Sequence, residues 1–163
     1  MTTKEAEMFY KQAISYMGQG ETKKAVEFFN KSLDIDNNYL IAWNDKGVAH
    51  LELEEYQEAL DCFEQVNRLN PGDGLAWYNR GYALLMLEKY PESVKTFDFF
   101  LDNYTPKSDF YKYALYLKAK GLYALKKYEE AHEELEIAIN KDKSFKEARE
   151  LLISVLREMK KEE

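Results

Sequence analysis

The chain has 163 residues, of which 45% are hydrophobic and 15% aromatic, enough to build the core of one ordinary globular domain. Its 30 acidic and 23 basic residues give a net charge of −7, which argues against a nucleic-acid backbone as the main ligand because such binding depends on Lys and Arg. The single cysteine, Cys62, excludes an internal disulfide and fits a reducing compartment.

The first predicted element is a pair of helices within residues 6–39. Apolar residues between positions 9 and 16 recur every three or four residues, the spacing that places side chains on one side of a helix. Gly18 and Gly20 are expected to end this helix. A second helix of the same type is predicted to end at the turn of residues 36–38.

The next two pairs, residues 40–73 and 74–107, repeat each other with a period of 34 residues. Aromatic residues and glycine recur at this offset: Trp43 and Trp77, Gly47 and Gly81, Tyr56 and Tyr90, and Phe63 and Phe97. Pro71 ends the second pair because proline cannot continue a helix. A period of this length filled by two amphipathic segments predicts a helical solenoid.

The frame slips by four residues before the fourth pair, since Tyr128 follows Tyr90 by 38 residues. Four residues are about one helical turn, so the helical phase is kept. We expect Thr105 to be the N-cap and Pro106 the first residue of a long helix that ends near Leu125. The fourth pair is then residues 112–145.

The last predicted element is one amphipathic helix, residues 146–161, that closes the final pair and offers water a polar face. Its apolar stripe consists of Ala148, Leu151, Leu152, Val155, Leu156 and Met159. Ile153 lies off that stripe.

Small residues recur in both helices of each pair. The first helices carry Ala13, Gly47, Gly81 and Ala119, and twelve positions later the second helices carry Ala25, Ala59, Ser93 and Ala131. Glycine costs about 1 kcal/mol against alanine inside a helix, so its repeated use implies a need for space. We predict that the small residues face each other and that large residues form the core: Trp43, Trp77, Phe29, Phe63 and Phe97.

With these residues the chain resembles a tetratricopeptide-repeat (TPR) protein. The match is best in the second and third pairs, whereas the first has Phe9 and the fourth Leu115 in place of tryptophan. The resemblance implies an all-α, right-handed helical solenoid of about four helix pairs plus a C-terminal capping helix, with residues 1–163 as a single domain.

The resemblance also implies a concave groove, lined by the first helices, that binds a peptide segment of a partner protein. No catalysis, cofactor or metal is expected. The predicted peptide-binding residues are Tyr10, Ile14, Asn44, Val48, Tyr78, Asn79, Tyr82, Tyr113, Tyr116 and Lys120. Several of these tyrosines are alternatively explained by packing between repeats.

One subclass of the family grips acidic C-terminal tails with a clamp of Lys, Asn, Asn, Lys and Arg. The matching positions here are Tyr10, Ile14, Asp45, Leu75 and Asn79. The clamp is absent, so we expect a hydrophobic or amphipathic peptide instead, and an adaptor or scaffold role for the protein.

Two alternatives to a peptide-binding groove stay open. The groove could be filled by the protein itself, either in a homo-oligomer or by a terminal helix. An enzyme is the weaker alternative, because the only histidines, His50 and His132, form no metal-ligand spacing or triad. His50 is expected to be a core histidine with a hydrogen-bond partner, and Cys62 a buried, unreactive thiol.

The start of the chain is polar, and no run of about 18 apolar residues follows it, so we expect neither a secretory signal nor a membrane span. The expected location is therefore the cytoplasm.

Overall fold

The computed structural model describes residues 3–104 and 109–162, and within them it contains nine α-helices and no strand. The helices are α1 (Lys4–Gly18), α2 (Thr22–Ile35), α3 (Leu40–Glu52), α4 (Tyr56–Leu69), α5 (Gly74–Met86), α6 (Tyr90–Asn103), α7 (Asp109–Ala124), α8 (Tyr128–Lys141) and α9 (Lys146–Glu162). The all-α prediction is confirmed. The predicted N-cap Thr105 and Pro106 lie outside the described residues.

The chain divides into two compact units, and the boundary between Ala83 and Leu84 falls inside α5. In unit 1, α1 packs on α2, α2 on α3, and α3 on α4. In unit 2, α7 packs on α6 and α8, and α8 packs on α9. None of the helices within the described residues is both long and apolar enough to cross a bilayer.

The core of each helix pair is built around one large residue of the second helix. Phe29, Phe63 and Phe97, which recur with the 34-residue period, are fully buried, and so is Leu135 at the equivalent position of α8. The small residues Ala25, Ala59, Ser93 and Ala131 are also fully buried. The predicted core positions of the second helices are therefore confirmed.

Gly47 shows why the first helix needs a small residue. A Cβ atom added to Gly47 would lie 2.8 Å from the ring of Phe63 and 3.1 Å from Cβ of Cys62. The predicted need for space is confirmed, and the atoms nearest to it belong to Phe63 and Cys62. The phenylalanine ring fills the space next to Gly47, so close approach depends on a small residue meeting a large one.

The two tryptophans occupy equivalent positions but are less buried than predicted. Each side chain is only half-buried. The indole Nε1 of Trp43 donates to the carbonyl oxygen of Asn37 at 2.8 Å, and that of Trp77 donates to the carbonyl oxygen of Pro71, also at 2.8 Å. Because each indole must reach the preceding turn, the tryptophans lie at the edge of the core and tie each first helix to the turn before it.

The turn inside each pair contains one residue with a left-handed backbone. These residues are Gly20 (φ 74°), Glu54 (φ 58°), Glu88 (φ 58°) and Lys126 (φ 60°). Only glycine adopts this conformation without steric cost. The same turn geometry therefore recurs although three of the four residues are not glycine.

The turns between pairs also share one hydrogen bond, in which a side-chain oxygen accepts from the backbone N–H two residues later. Asp36 accepts from Asn38, Asn70 from Gly72, and Asp142 from Ser144. Such turns hold the chain in the reversal that follows each second helix.

Asp142 is the most strongly bound of these residues. It accepts from the hydroxyl and the backbone N–H of Ser144, and Lys112 Nζ lies 2.9 Å from its Oδ2 atom. The hydrogen bond from the Ser144 hydroxyl, followed by that from Lys112, lowers the pKa of Asp142 to about 2.

The Asp142→Asn variant is expected to be less stable than the wild type at neutral pH. Since the pKa of Asp142 is lowered by folding, its stabilising effect is present above the pKa of the unfolded chain, near 3.8, and is lost as the pH falls through about 2. Melting temperatures measured from pH 7 to pH 2 should therefore converge at the acidic end. An equal difference at every pH would contradict this account.

Candidate functional site

The predicted groove residues of unit 1 lie on its first helices, α1, α3 and α5, and are here called the first-helix face. It consists of Tyr10, Ile14, Ile41, Asn44, Val48, Leu75, Tyr78, Asn79 and Tyr82. Ile14, Ile41 and Leu75 are exposed, and Ile41 keeps 51% of its surface accessible. The other six residues are half-buried. Single exposed apolar residues are normal, but here Ile41 and Leu75 occupy equivalent positions of successive first helices, so the apolar surface is repeated.

Tyr10 belongs both to this face and to the packing between repeats. Its hydroxyl donates to Asp45 Oδ2 at 2.8 Å, which joins α1 to α3. Its ring lies 5.2 Å from that of Tyr39 and 6.1 Å from that of Phe29, centroid to centroid. Burial, with the hydrogen bond to Asp45, raises the pKa of Tyr10. Tyr10 is therefore a fixed part of the face.

Asn44 is the member of the face in contact with Asp45. The Asn44 side-chain amide donates to Asp45 Oδ1 at 3.2 Å, so both oxygens of this carboxylate accept hydrogen bonds. The Asn44 Oδ1 atom is buried and has no hydrogen-bond partner among the described residues. The face thus adjoins the negative charge of Asp45 and has one buried acceptor without a partner.

In unit 2, the predicted residues Tyr113, Tyr116 and Lys120 lie on α7. The rings of Tyr113 and Tyr116 are 5.0 and 5.2 Å from that of Phe145, and Lys120 Nζ is 5.8 Å from the Tyr116 ring. Tyr113 and Lys120 are exposed, whereas Tyr116 is half-buried. Burial, followed by the charges of Glu147 and Glu150, raises the pKa of Tyr116.

The contact between Tyr116 and Phe145 repeats the contact between Tyr10 and Tyr39. In both pairs the ring centroids are 5.2 Å apart and the rings have a similar tilt. The two residues of each pair are also separated by the same number of residues along the chain. The tyrosine at this position therefore packs one repeat on the next, which is the packing alternative for these two residues.

Sequence reasoning missed an ion pair that recurs between repeats. In unit 1, Arg80 NH2 lies 3.3 Å from Glu64, and in unit 2 the equivalent Lys118 Nζ lies 2.6 Å from Asp98. Lys118 also lies 2.5 Å from Glu134. A pattern in the sequence could have revealed this pair. An acidic residue recurs at one position of the second helices, and a basic residue recurs at one position of the first helices that follow them.

The residues considered for an enzyme have structural roles. His50 is buried and its Nδ1 atom lies 2.7 Å from Glu55 Oε2, so the predicted core histidine is confirmed. Cys62 is also buried, and burial raises the pKa of its thiol to about 11. Within residues 3–104 and 109–162, no three His, Cys, Asp or Glu side chains are grouped so that they could hold a metal ion.

Comparison with known families decides the class of the protein. Two sequence profiles, both described as tetratricopeptide repeat, match residues 6–39 and 44–106. The chain belongs to the tetratricopeptide-repeat family. Among curated proteins, the TPR chain is 38% identical over 60 residues to the uncharacterised protein MJ0572 of Methanocaldococcus jannaschii, a match that covers 37% of this chain and 70% of the relative.

Solved structures of TPR proteins share the fold of this chain. MamA (residues 41 to end) from Desulfovibrio magneticus RS-1 superposes with a TM-score of 0.80 at 18% identity over 96% of both chains. YrrB, reported as a TPR protein with an unusual peptide-binding site, gives 0.80 at 19% identity over 93% of this chain and 76% of its own. The second TPR domain of Spaghetti (RPAP3), bound to an HSP90 peptide, gives 0.58 at 21% identity over 62% of this chain and 94% of its own. The helical-repeat solenoid fold is confirmed, and the family makes the chain a protein-interaction module.

Proposed function

We propose that the first-helix face of unit 1 binds a hydrophobic or amphipathic segment of another protein, and that the protein acts as an adaptor or scaffold. The observation that carries this proposal is the exposure of Ile14, Ile41 and Leu75 on successive first helices. The peptide-binding site reported for YrrB and the HSP90 peptide bound to the Spaghetti domain support a peptide as the type of ligand.

The chemistry of the face favours an apolar ligand over an acidic one. An amphipathic helix presents apolar residues at i, i+3, i+4 and i+7, which suits a row of exposed aliphatic side chains. A carboxylate of the ligand would meet Asp45, whose oxygens already accept from Tyr10 and Asn44.

Several further assignments belong to the same proposal. Tyr113 and Lys120 of unit 2 are exposed and stay candidate ligand contacts, whereas Tyr10 and Tyr116 support the face by packing. We also propose that residues 1–163 form one domain with repeats at 6–39, 40–73, 74–107 and 112–145. The proposed location of the protein is the cytoplasm.

The Ile41→Arg variant is expected to weaken peptide binding by at least about tenfold, because a single large apolar contact at the centre of an interface contributes more than 1 kcal/mol. The probe is a labelled synthetic helix with leucine at i, i+3, i+4 and i+7 and neutral polar residues elsewhere. Fluorescence anisotropy gives the dissociation constant. Ile41 is exposed, so the substitution should leave the melting temperature unchanged.

The matched control is Ile35→Arg, which changes an exposed isoleucine at the end of α2. This variant should bind as the wild type does. Equal loss in both variants, or tight binding only to an acidic C-terminal peptide with steep salt dependence, would overturn the proposal. If wild-type protein excludes the peptide and sediments as a dimer that Ile41→Arg dissociates, the face serves self-association instead.

A further inference from the structure

The last helix, α9, has the register of a first helix. Ala42, Ala76 and Ala114 are fully buried at equivalent positions of α3, α5 and α7, and Ala148 continues the series in α9. Phe145, just before α9, likewise repeats the place and contact of Tyr39 before α3. α9 can therefore be compared residue by residue with the first helices of the complete pairs.

The comparison identifies a surface of α9 that is covered in the other first helices. In α3, Gly47 and His50 are buried, and in α7 so are Ala119 and Leu122. In α9 the same positions hold an isoleucine and a leucine, and both are exposed: Ile153 keeps 59% of its surface accessible and Leu156 keeps 38%. The predicted burial of Leu156 in the stripe of α9 is therefore wrong.

The identity of Ile153 restricts what can cover this surface. At the equivalent Gly47, even a Cβ atom would lie 2.8 Å from the phenylalanine of the second helix. An isoleucine at this position excludes a helix packed as closely as the second helices of the other pairs. The partner of this surface must lie further out and pack on the isoleucine itself.

Basic side chains surround the two exposed apolar residues. Arg149, Arg157 and Lys160 lie one turn before or after them and are exposed. Within the part of the chain that the structure describes, none of these three makes an ion pair. An exposed acid, Glu150, lies one turn before Ile153 and pairs with Lys146 at 3.6 Å. Although the whole chain carries a net charge of −7, this surface is positive, so its partner is expected to be acidic.

The neighbouring helix α8 carries the complementary combination of charges. Ile137 keeps 46% of its surface accessible, and Glu133 and Glu129 follow it at intervals of one turn toward the N-terminus of α8. Both glutamates are exposed, and neither has an ion-pair partner among the described residues. The same chain thus presents a basic apolar surface on α9 and an acidic apolar surface on α8.

We propose that two copies of the protein associate with two-fold symmetry, α9 of each lying antiparallel on α8 of the other. With Ile137 placed opposite Ile153, an antiparallel alignment brings Glu133 opposite Arg157. It also brings Glu129 opposite Lys161, an exposed base two turns after Ile153 that pairs with Glu158 at 2.7 Å. The two isoleucines then meet, and Glu133 and Glu129 each meet a base, whereas Leu156 falls opposite Glu134 and Arg149 opposite Lys141. The isoleucine pair and the two acid–base pairs each occur twice in the dimer, as a two-fold interface requires.

The test is a charge exchange measured by sedimentation velocity at micromolar to submillimolar concentrations. The wild type should sediment as a dimer, and Arg157→Glu and Glu133→Arg should each weaken association by at least about tenfold, because each places like charges opposite one another twice in the symmetric dimer. Mixing the two variants should restore dimers, since each α8–α9 contact in the mixed pair again joins an acid to a base. Melting temperatures check that both variants stay folded.

Several results would overturn this proposal. A wild type that is monomeric throughout, or variants whose mixture stays monomeric, would exclude the pairing of α8 with α9. A mass that rises continuously with concentration would indicate an open chain of subunits instead of a closed pair. Binding of a monomeric wild type to phosphatidylserine vesicles, or to an acidic amphipathic peptide, with loss in Arg157→Glu, would assign the α9 surface to that partner.

Discussion

Replacing Gly47 with alanine is expected to lower the free energy of unfolding by about 2 kcal/mol, the usual cost of adding a methyl group to a filled core. The opposite result would follow from helix propensity alone, which favours alanine over glycine by about 1 kcal/mol. Overpacking outweighs helix propensity here because the added Cβ atom would lie 2.8 Å from the ring of Phe63, which is fully buried. Urea unfolding followed by circular dichroism gives the free energy.

Two other glycines provide a graded control for this substitution. Gly18 has nothing within 4 Å of an added Cβ atom, so Gly18→Ala should be neutral or slightly stabilising. Gly121 is intermediate, since Val94 Cγ2 would lie at 3.0 Å. In a Phe63→Leu background, Gly47→Ala should cost less than in the wild type, because the shortened side chain leaves room. Equal costs in both backgrounds would contradict the steric explanation.

The Lys118→Met variant is expected to lose about 2 to 3 kcal/mol of stability, the range for removing hydrogen bonds to charged groups. The Lys118 ammonium group joins three helices, since it lies 2.6 Å from Asp98 on α6 and 2.5 Å from Glu134 on α8. Burial of Lys118 opposes its charged form, but the hydrogen bonds to the two carboxylates outweigh this effect and raise its pKa. Methionine fills a similar volume, so most of the loss comes from the unpaired carboxylates.

Lys120→Met is the matched control for this change. Lys120 lies on the same helix but is exposed, so its substitution should alter stability by no more than about 0.5 kcal/mol. Adding Glu134→Gln to Lys118→Met should restore part of the loss, because no charged group is then left largely buried without a partner. If Lys118→Met and Lys120→Met melt at the same temperature, the three-helix contact does not contribute to stability.

The sequence predicted the repeated core well because burial imposes residue type. Ala25, Ala59, Phe29 and Phe63 recur at the repeat spacing and are fully buried, so periodicity alone was enough to find them. It was less informative where a residue has two roles. Trp43 recurs as a core residue would, yet its indole N–H must reach the carbonyl oxygen of Asn37, which keeps the ring at the edge.

The repeat frame was enough to propose positions for the candidate site but not to predict the exposure of each residue. The first helices were chosen from the repeat frame, but exposure separates Ile41 from Tyr10, and exposure depends on which neighbour covers each residue. Ile153 shows the same limit from the other side. Ile153 lies off the apolar stripe of α9, so helical periodicity does not explain it. Its equivalence to Gly47 shows that it lies where a second helix would pack.

The left-handed residue in each internal turn has a consequence for engineering. Glycine, two glutamates and a lysine adopt nearly the same φ angle at this place, so the two flanking helices impose the shape of the turn whatever residue occupies it. A left-handed conformation costs a residue other than glycine roughly 1 to 2 kcal/mol, part of which glycine would return. Glu54, Glu88 and Lys126 are therefore positions at which the thermal resistance of this chain can be adjusted without redesigning its interior.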